Sequence, residues 1–282
     1  MHTLAAQLPV PFYRGVPEVT FGVDMVSTAG GQACATMTPT AAIAVAGSDV
    51  LHQGALGILI DDTSAYAALT GRSPRQWGVS SVINVDFHAP VTSSSGRFES
   101  QAGFISRTGD WGFAAGTVRD GHGALIATVD QRMRYLPGDS SVHEKPWAPL
   151  RAADTLPPLD DILQPVHREA RRAEFRLQTG PHLANPLGAM HGGIGLCVSE
   201  MAARVAWNEM VADEGVSFHT SNLRTTYVRP GDLSHDLDVR VQVVHASRSF
   251  VVLEVAILNR DAMPVVIALS TLHRSDGEWV VR

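Results

Sequence analysis

The feature that most limits how this chain can fold is an internal repeat. Aligning His52 with His191, an offset of 139 residues, brings Gly54 onto Gly193, Asp61 onto Glu200 and Ala67 onto Ala206. Further on, "SSVINVDFHAP" (residues 80–90) falls on "TSNLRTTYVRP" (residues 220–230) at an offset of 140, with Phe87 on Tyr227 and Pro90 on Pro230. Identity between the copies is low, but the order of elements is the same, as after an old duplication. Both halves are therefore expected to fold alike.

Between the copies, residues 137–165 carry six prolines. Proline fixes φ and lacks an amide donor, so this stretch makes a poor helix interior or central strand. The division expected is a first domain over residues 15–137, a Pro-rich linker over 138–168 and a second domain over 169–282. One short helical turn is expected around residues 159–163 of the linker.

Each copy has the same coarse pattern. In the first, "EVTFGVDMVS" and "GQACATMTP" are strand-like, with Gly30 and Gly31 at a turn. A helix is predicted over residues 51–69, ending before Gly71. Four β-rich runs follow: 80–89, 97–106, 111–119 and 125–135. In the second copy one strand, "AEFRLQT", precedes a helix over residues 191–212. Runs at 220–228, 237–245, 250–259 and 265–273 complete it. The helices are apolar over most of their circumference, with Ile58, Leu59 and Ile60 consecutive in one and Leu196, Cys197 and Val198 in the other. A helix apolar nearly all round is a buried helix. The fold class expected is α+β: two tandem hotdog domains, each a long antiparallel sheet wrapped round a central helix, joined sheet edge to sheet edge as a pseudo-dimer.

The 282 residues are 45% hydrophobic and 18% charged, ample for a core. A net charge of −6 argues against an electrostatic nucleic-acid or anionic-membrane partner. No apolar run approaches the roughly 20 residues that span a bilayer. The N-terminal stretch has no basic region followed by an apolar one, so a cytoplasmic protein is expected. Cys34 and Cys197 lie in apolar surroundings and read as buried free thiols.

The chemistry concentrates in "NPLGAMHGGIGLCVSEMAARVAW", residues 185–207. A helix N-terminus leaves its first amides unpaired and partly positive. Gly192 and Gly193 would let a carbonyl developing oxyanion character approach them; glycines there would equally permit tight packing against a strand. Glu200 follows the histidine by nine residues, about 900° of rotation and a rise of roughly 13.5 Å, so it cannot reach its own helix start. It could reach the start of the neighbouring copy's helix, if the two lie antiparallel. Asp61 holds the same place in the first helix, within "GILIDDTSAY". A hydrogen-bonded core acid is the plain alternative, but the cost of burying a carboxylate favours a working one.

These residues carry a family resemblance. "NPLGAMHGG", the carboxylate nine after the histidine and "TSNLRTTYVRP" resemble the PaaI-like branch of hotdog acyl-CoA thioesterases, and both halves share it, apart from the linker. The resemblance implies hydrolysis of an acyl-CoA to free acid and coenzyme A, coenzyme A being part of the substrate and no other cofactor being required. It implies a main site of Asn185, His191 and Gly192 from the second half with Asp61 and Ser80 from the first. Gly192 N–H would polarise the thioester carbonyl, and Asp61 would deprotonate a water or attack the carbonyl itself. Ser80 would orient the water or Asp61, Asn185 would help position water or substrate, and His191 would fix the loop. A second site would combine His52 with Glu200 and Thr220. It departs from the pattern at Ala46, where the asparagine should be, and at Gln53, which replaces the first glycine, so one competent site per chain is expected.

Twelve histidines form no ligand-spaced pattern, so no metal is expected. A G-x-S-x-G elbow is missing as well. Arg107 and Arg248, each entering a strand, could meet coenzyme A phosphates. The rival readings are a non-catalytic acyl-CoA-binding hotdog protein and a hotdog enoyl-CoA hydratase. Homo-oligomers of pseudo-dimers are compatible with either.

Overall fold

A computed structural model describes residues 10, 12, 14–45, 48–138, 158–211 and 216–274. Most of the stretch read as linker, and Ala46, lie outside the described residues.

The first half runs α1 (Val16–Phe21), β1 (Val23–Ala29), β2 (Gln32–Met37), α2 (Gly57–Leu69), β3 (Gln76–Phe87), β4 (Phe98–Thr108), β5 (Trp111–Arg119) and β6 (Leu125–Pro137). The second runs α3 (Leu159–Ile162), β7 (Leu163–Glu169), β8 (Arg172–Leu177), α4 (Gly192–Met210), β9 (Phe218–Tyr227), β10 (Leu237–Ala246), β11 (Phe250–Leu258) and β12 (Pro264–Arg274). The alternating runs became strands because one face of each meets a helix, as in β10, where Leu237, Val239, Val241 and Val243 are buried.

Three local expectations need correction. "EVTF" alternates like a strand, yet Val16–Phe21 is helical, started by Pro17 in its first turn and closed by Gly22 at φ 71. Residues 51–69 do not form one continuous helix: Gln53–Leu56 is a 3-10 turn leading into α2. The second half has two strands before its helix, not one. β7 falls almost wholly within the stretch read as linker and pairs with β8, so regular structure there begins before residue 169. Pro165 is accommodated because β7 is an edge strand that pairs on one side only.

Among the described residues, twelve strands form one antiparallel sheet in the order β1-β2-β4-β5-β6-β3-β9-β12-β11-β10-β8-β7. The halves join where β3 meets β9, from Val82 opposite Thr226 to Asp86 opposite Asn222. The pair at the middle of this register is Asn84 and Arg224, and those are the residues that the repeat aligns at offset 140. The sequence repeat and the sheet thus share one pseudo-twofold axis.

The central helices lie against each other and against the sheet. Twelve residues of α2 are buried, leaving no solvent face for a polar stripe. Glycines set the closeness of the crossing: a Cβ on Gly193 would lie 2.5 Å from Ile58 Cα, and one on Gly57 would overlap the Gly193 carbonyl. One apolar cluster then runs through both halves, from Ile58 and Leu59 to Ile194, Val198 and Leu253. A smaller one, with Tyr66, Leu69, Met133 and Tyr135, lies under the end of α2. Of the two cysteines, Cys197 is buried and Cys34 is only half-buried. Among the described residues no helix is long and apolar enough to cross a membrane.

Candidate active site

The antiparallel crossing brings Asp61, in the second turn of α2, to the start of α4. Gly193 N–H donates to Asp61 Oδ2 at 3.0 Å, and a Cβ on Gly192 would lie 2.5 Å from the same oxygen. Gly192 is thus required by a carboxylate at the helix start, while Gly193 serves the packing of helix on helix. The partial positive charge of the α4 terminus favours an anion there. The Gly192 amide itself donates to nothing among the described residues, and its carbonyl accepts the Tyr227 hydroxyl at 2.6 Å. Burial, with the Asp61 charge adding to it, pushes the Tyr227 phenol well above its usual pKa, so it stays a donor.

On the other side of Asp61, Oδ1 accepts from Ser80 at 2.7 Å and from Gln131 Nε2 at 3.3 Å. Gln131 also donates to Ser80 Oγ at 2.7 Å, and its own carbonyl oxygen takes the Ser64 hydroxyl. Ser80 and Asp61 stand together as expected. Gln131, fully buried, was missed: it lies on β6, far from the helix motif in sequence, and only the pairing of Ile83 with Gln131 brings it to Ser80.

His191 opens α4, its Nδ1 accepting from Gly193 N–H at 3.0 Å, while its own amide donates to Leu183 O. These two bonds tie His191 to the loop before α4 and to the first turn of the helix. Asn185 is committed likewise: its Oδ1 accepts the amides of Leu187 at 2.9 Å and Ala189 at 3.1 Å, shaping the turn before the helix. Around His191 gather two acids that the expected site did not include, Glu18 of α1 and Asp62 of α2. Each has a carboxylate oxygen 3.4 Å from His191 Nε2. Burial, reinforced by the neighbouring Glu18 charge and partly offset by His191, pushes the Asp62 carboxyl up to about 7. Burial opposes charging of His191, but Asp62 and Glu18 outweigh it and hold its pKa well above 6.5.

A cavity of about 590 Å³ opens beside these groups. Asp61, Gly192, Asn185 and Tyr227 face it together with an apolar wall that includes Leu69, Trp77 and Met133.

The symmetry-related place is built differently. Glu200, fully buried, accepts Gly54 N–H at 3.1 Å and Thr220 Oγ1 at 2.9 Å, reproducing the bonds of Asp61 to Gly193 and Ser80. It also carries a cation: Arg204 Nε donates to it at 3.0 Å and Arg204 Nη2 meets His52 Nδ1 at 2.6 Å. Gln53 donates to Thr220 O. At offset 139, Arg204 corresponds to Ala65, which borders the cavity in the first half. By strand register Gln131 corresponds to Ser270, which pairs with Leu223 as Gln131 pairs with Ile83.

Neither arginine expected to meet phosphates stands at the cavity. Arg107 spends its donors on Gly109 O, Gly71 O, Ser73 Oγ and Gln76 Oε1, and lies over the Tyr135 ring. It braces the turn after α2. Arg248 is exposed on the turn between β10 and β11. Arg134 and Arg229 are the arginines that border the cavity.

Among solved structures, a tesB protein of Mycobacterium avium subspecies paratuberculosis superposes with a TM-score of 0.64 at 10% identity, covering 92% of this chain and 98% of that one. A protein from Alicyclobacillus acidocaldarius described as having a hot dog fold gives 0.62 at 10%, covering 94% and 100%. The chain is a double hotdog. An acyl-CoA thioesterase II of Mycobacterium marinum matches the double hotdog at 0.65 and 12% identity, covering 93% and 98%. Residues 187–266 match the family model of the thioesterase superfamily, which places the match on the half that supplies His191 and Gly192. No curated protein matches the double-hotdog sequence.

Proposed function

We propose that the chain is an acyl-CoA thioesterase with one working site, built across its two halves around Asp61. The observation that carries this reading is the placement of a buried carboxylate from α2 beside an amide, Gly192 N–H, that is unengaged among the described residues, at the start of α4 and on a cavity of about 590 Å³. The match of residues 187–266 to the thioesterase superfamily and the names of the superposed tesB and thioesterase II structures support the same class.

In this reading the thioester carbonyl takes its hydrogen bond from Gly192 N–H, at the positive end of the helix. Asp61 removes a proton from a water as the water oxygen attacks the carbonyl carbon. The C–S bond then breaks, and coenzyme A leaves as a thiolate that takes up a proton. Both Asp61 oxygens already accept hydrogen bonds, which suits a base held for water better than a free nucleophile. Ser80 and Gln131 orient Asp61 and that water. The space beside Glu200 is filled by Arg204, so the second set, with His52 and Thr220, is read as structural. Coenzyme A enters as part of the acyl-CoA substrate and leaves as product, and the chain acts without a nucleic-acid or membrane partner.

The test is thiol release from a panel of acyl-CoAs. Asp61→Ala should lower kcat by about 10²- to 10⁴-fold, the contribution of a positioned base. Glu200→Ala, compared at equal folded fraction, should leave turnover in place. Equal losses in both would overturn the single-site reading, and acyl-CoA binding without thiol release in the wild type would favour the binding-protein alternative.

A further inference from the structure

Glu18, Asp62 and His191 come from three separate elements, α1, α2 and the residue that opens α4. Each offers one ligand atom, and these atoms lie within 4.8 Å of one another. All three residues are buried, with exposures of 2%, 4% and 4%. The 3.4 Å from His191 Nε2 to Glu18 Oε1 and to Asp62 Oδ1 is long for a charge-assisted hydrogen bond, which runs about 2.7–2.9 Å. It is close to the spacing between neighbouring ligands in a tetrahedral site with metal–ligand distances of about 2.0–2.2 Å.

Two further observations point to a ligand. Glu18 Oε2 and Asp62 Oδ2 are buried and have no hydrogen-bond partner among the described residues. A buried carboxylate oxygen without a partner is costly, and two beside a third acid, Asp61, leave an excess of negative charge for one imidazole to balance. Asp61 Oδ2 also lies 3.4 Å from His191 Nδ1, so a proton on that nitrogen would face a carboxylate and leave the Nε2 lone pair for a cation. Gly193 N–H has Asp61 Oδ2 at 3.0 Å as its other acceptor, so it loses nothing when Nδ1 is protonated. A carboxylate behind the histidine of a metal ligand set is a common support. All three residues border the cavity, which gives an ion a way in.

We propose that Glu18, Asp62 and His191 form a binding site for a divalent transition-metal cation. One imidazole and two carboxylates suit Zn²⁺, Mn²⁺ or Fe²⁺ better than Mg²⁺ or Ca²⁺, which favour all-oxygen sets. The cation ties α1 and α2 of the first half to the start of α4 in the second. The proposal is independent of the thioesterase reading, in which no step passes through the ion.

The experiment uses the full-length, tag-free protein, stripped with a chelator and dialysed. Calorimetric titration with Zn²⁺ and Mn²⁺ should show one ion per chain, with Mg²⁺ binding much more weakly. Glu18→Gln and Asp62→Asn should each weaken Zn²⁺ binding at least about tenfold, the loss that even an outer partner of a metal site causes. Zn²⁺ should raise the Tm of the wild type and not that of the variants. Mn²⁺ at one equivalent should broaden the NMR signals of the Gly192 and Gly193 amides in the wild type, a readout that needs no variant to fold. No stoichiometric binding, equal affinity in wild type and both variants, or unbroadened glycine signals would each overturn the proposal. None of these readouts uses thioester turnover, so failure of the thioesterase assay would leave them intact.

Discussion

Gln131 links the Ser64, Ser80 and Asp61 side chains into one buried network, and its amide can turn neither way without breaking a bond. Replacing Gln131 with Ala would leave Ser80 free to rotate and Asp61 with one donor fewer. On the proposed mechanism kcat should fall about a hundredfold, at the low end of what positioned acid–base groups supply, with KM little changed. Steady-state kinetics of Gln131→Ala check this, and an unchanged kcat would remove Gln131 from the machinery. At this scale the sequence was informative where chemistry is local. His191 and Gly192 announce a helix start, and Asp61 stands out on an apolar helix. Ser80 was reached through the family resemblance alone. Gln131 and Glu18 carry no such mark, because what distinguishes them is a neighbour supplied by another strand or by the other half. Arg107 misled for the same reason: its position suggests a free cation, while three of its hydrogen bonds go to the residues after α2 and a fourth to Gly109 O.

The crossing of α2 and α4 rests on backbone contact. Gly193→Ala would improve intrinsic helix propensity by up to about 1 kcal/mol, yet its methyl would meet the Ile58 backbone. The clash should dominate, costing about 1–3 kcal/mol as overpacking does, and urea denaturation should show a lower midpoint with a similar slope. A higher midpoint would mean that the helices separate without cost. Most elements were legible because alternation and all-round apolarity report burial directly: β5 and the long helix α4 fall nearly where their patterns place them. The misses share one cause. α1 alternates like a strand, but Pro17 and the left-handed Gly22 decide its conformation; β7 holds a proline and is a strand only because β8 offers it a partner.

For the whole molecule, the larger apolar cluster spans both halves and one sheet runs through them, so most of the core is shared and only the smaller cluster under the end of α2 belongs to the first half alone. Calorimetric unfolding should give a single transition whose van't Hoff and calorimetric enthalpies agree; two resolved transitions would show that the halves melt apart. The repeat made this architecture readable, since the offset of 140 also marks the sheet's symmetry axis at Asn84 and Arg224. It could not show how the symmetry is broken. Position 65 is alanine and borders a cavity, while its counterpart is Arg204, locked between Glu200 and His52. Two identical chains could not make that choice, because every substitution would appear on both sides of the axis at once. Joining the copies in one polypeptide gives each side its own mutational history. One side is then free to keep an opening for chemistry, while the other trades its opening for a buried ion pair and becomes scaffold.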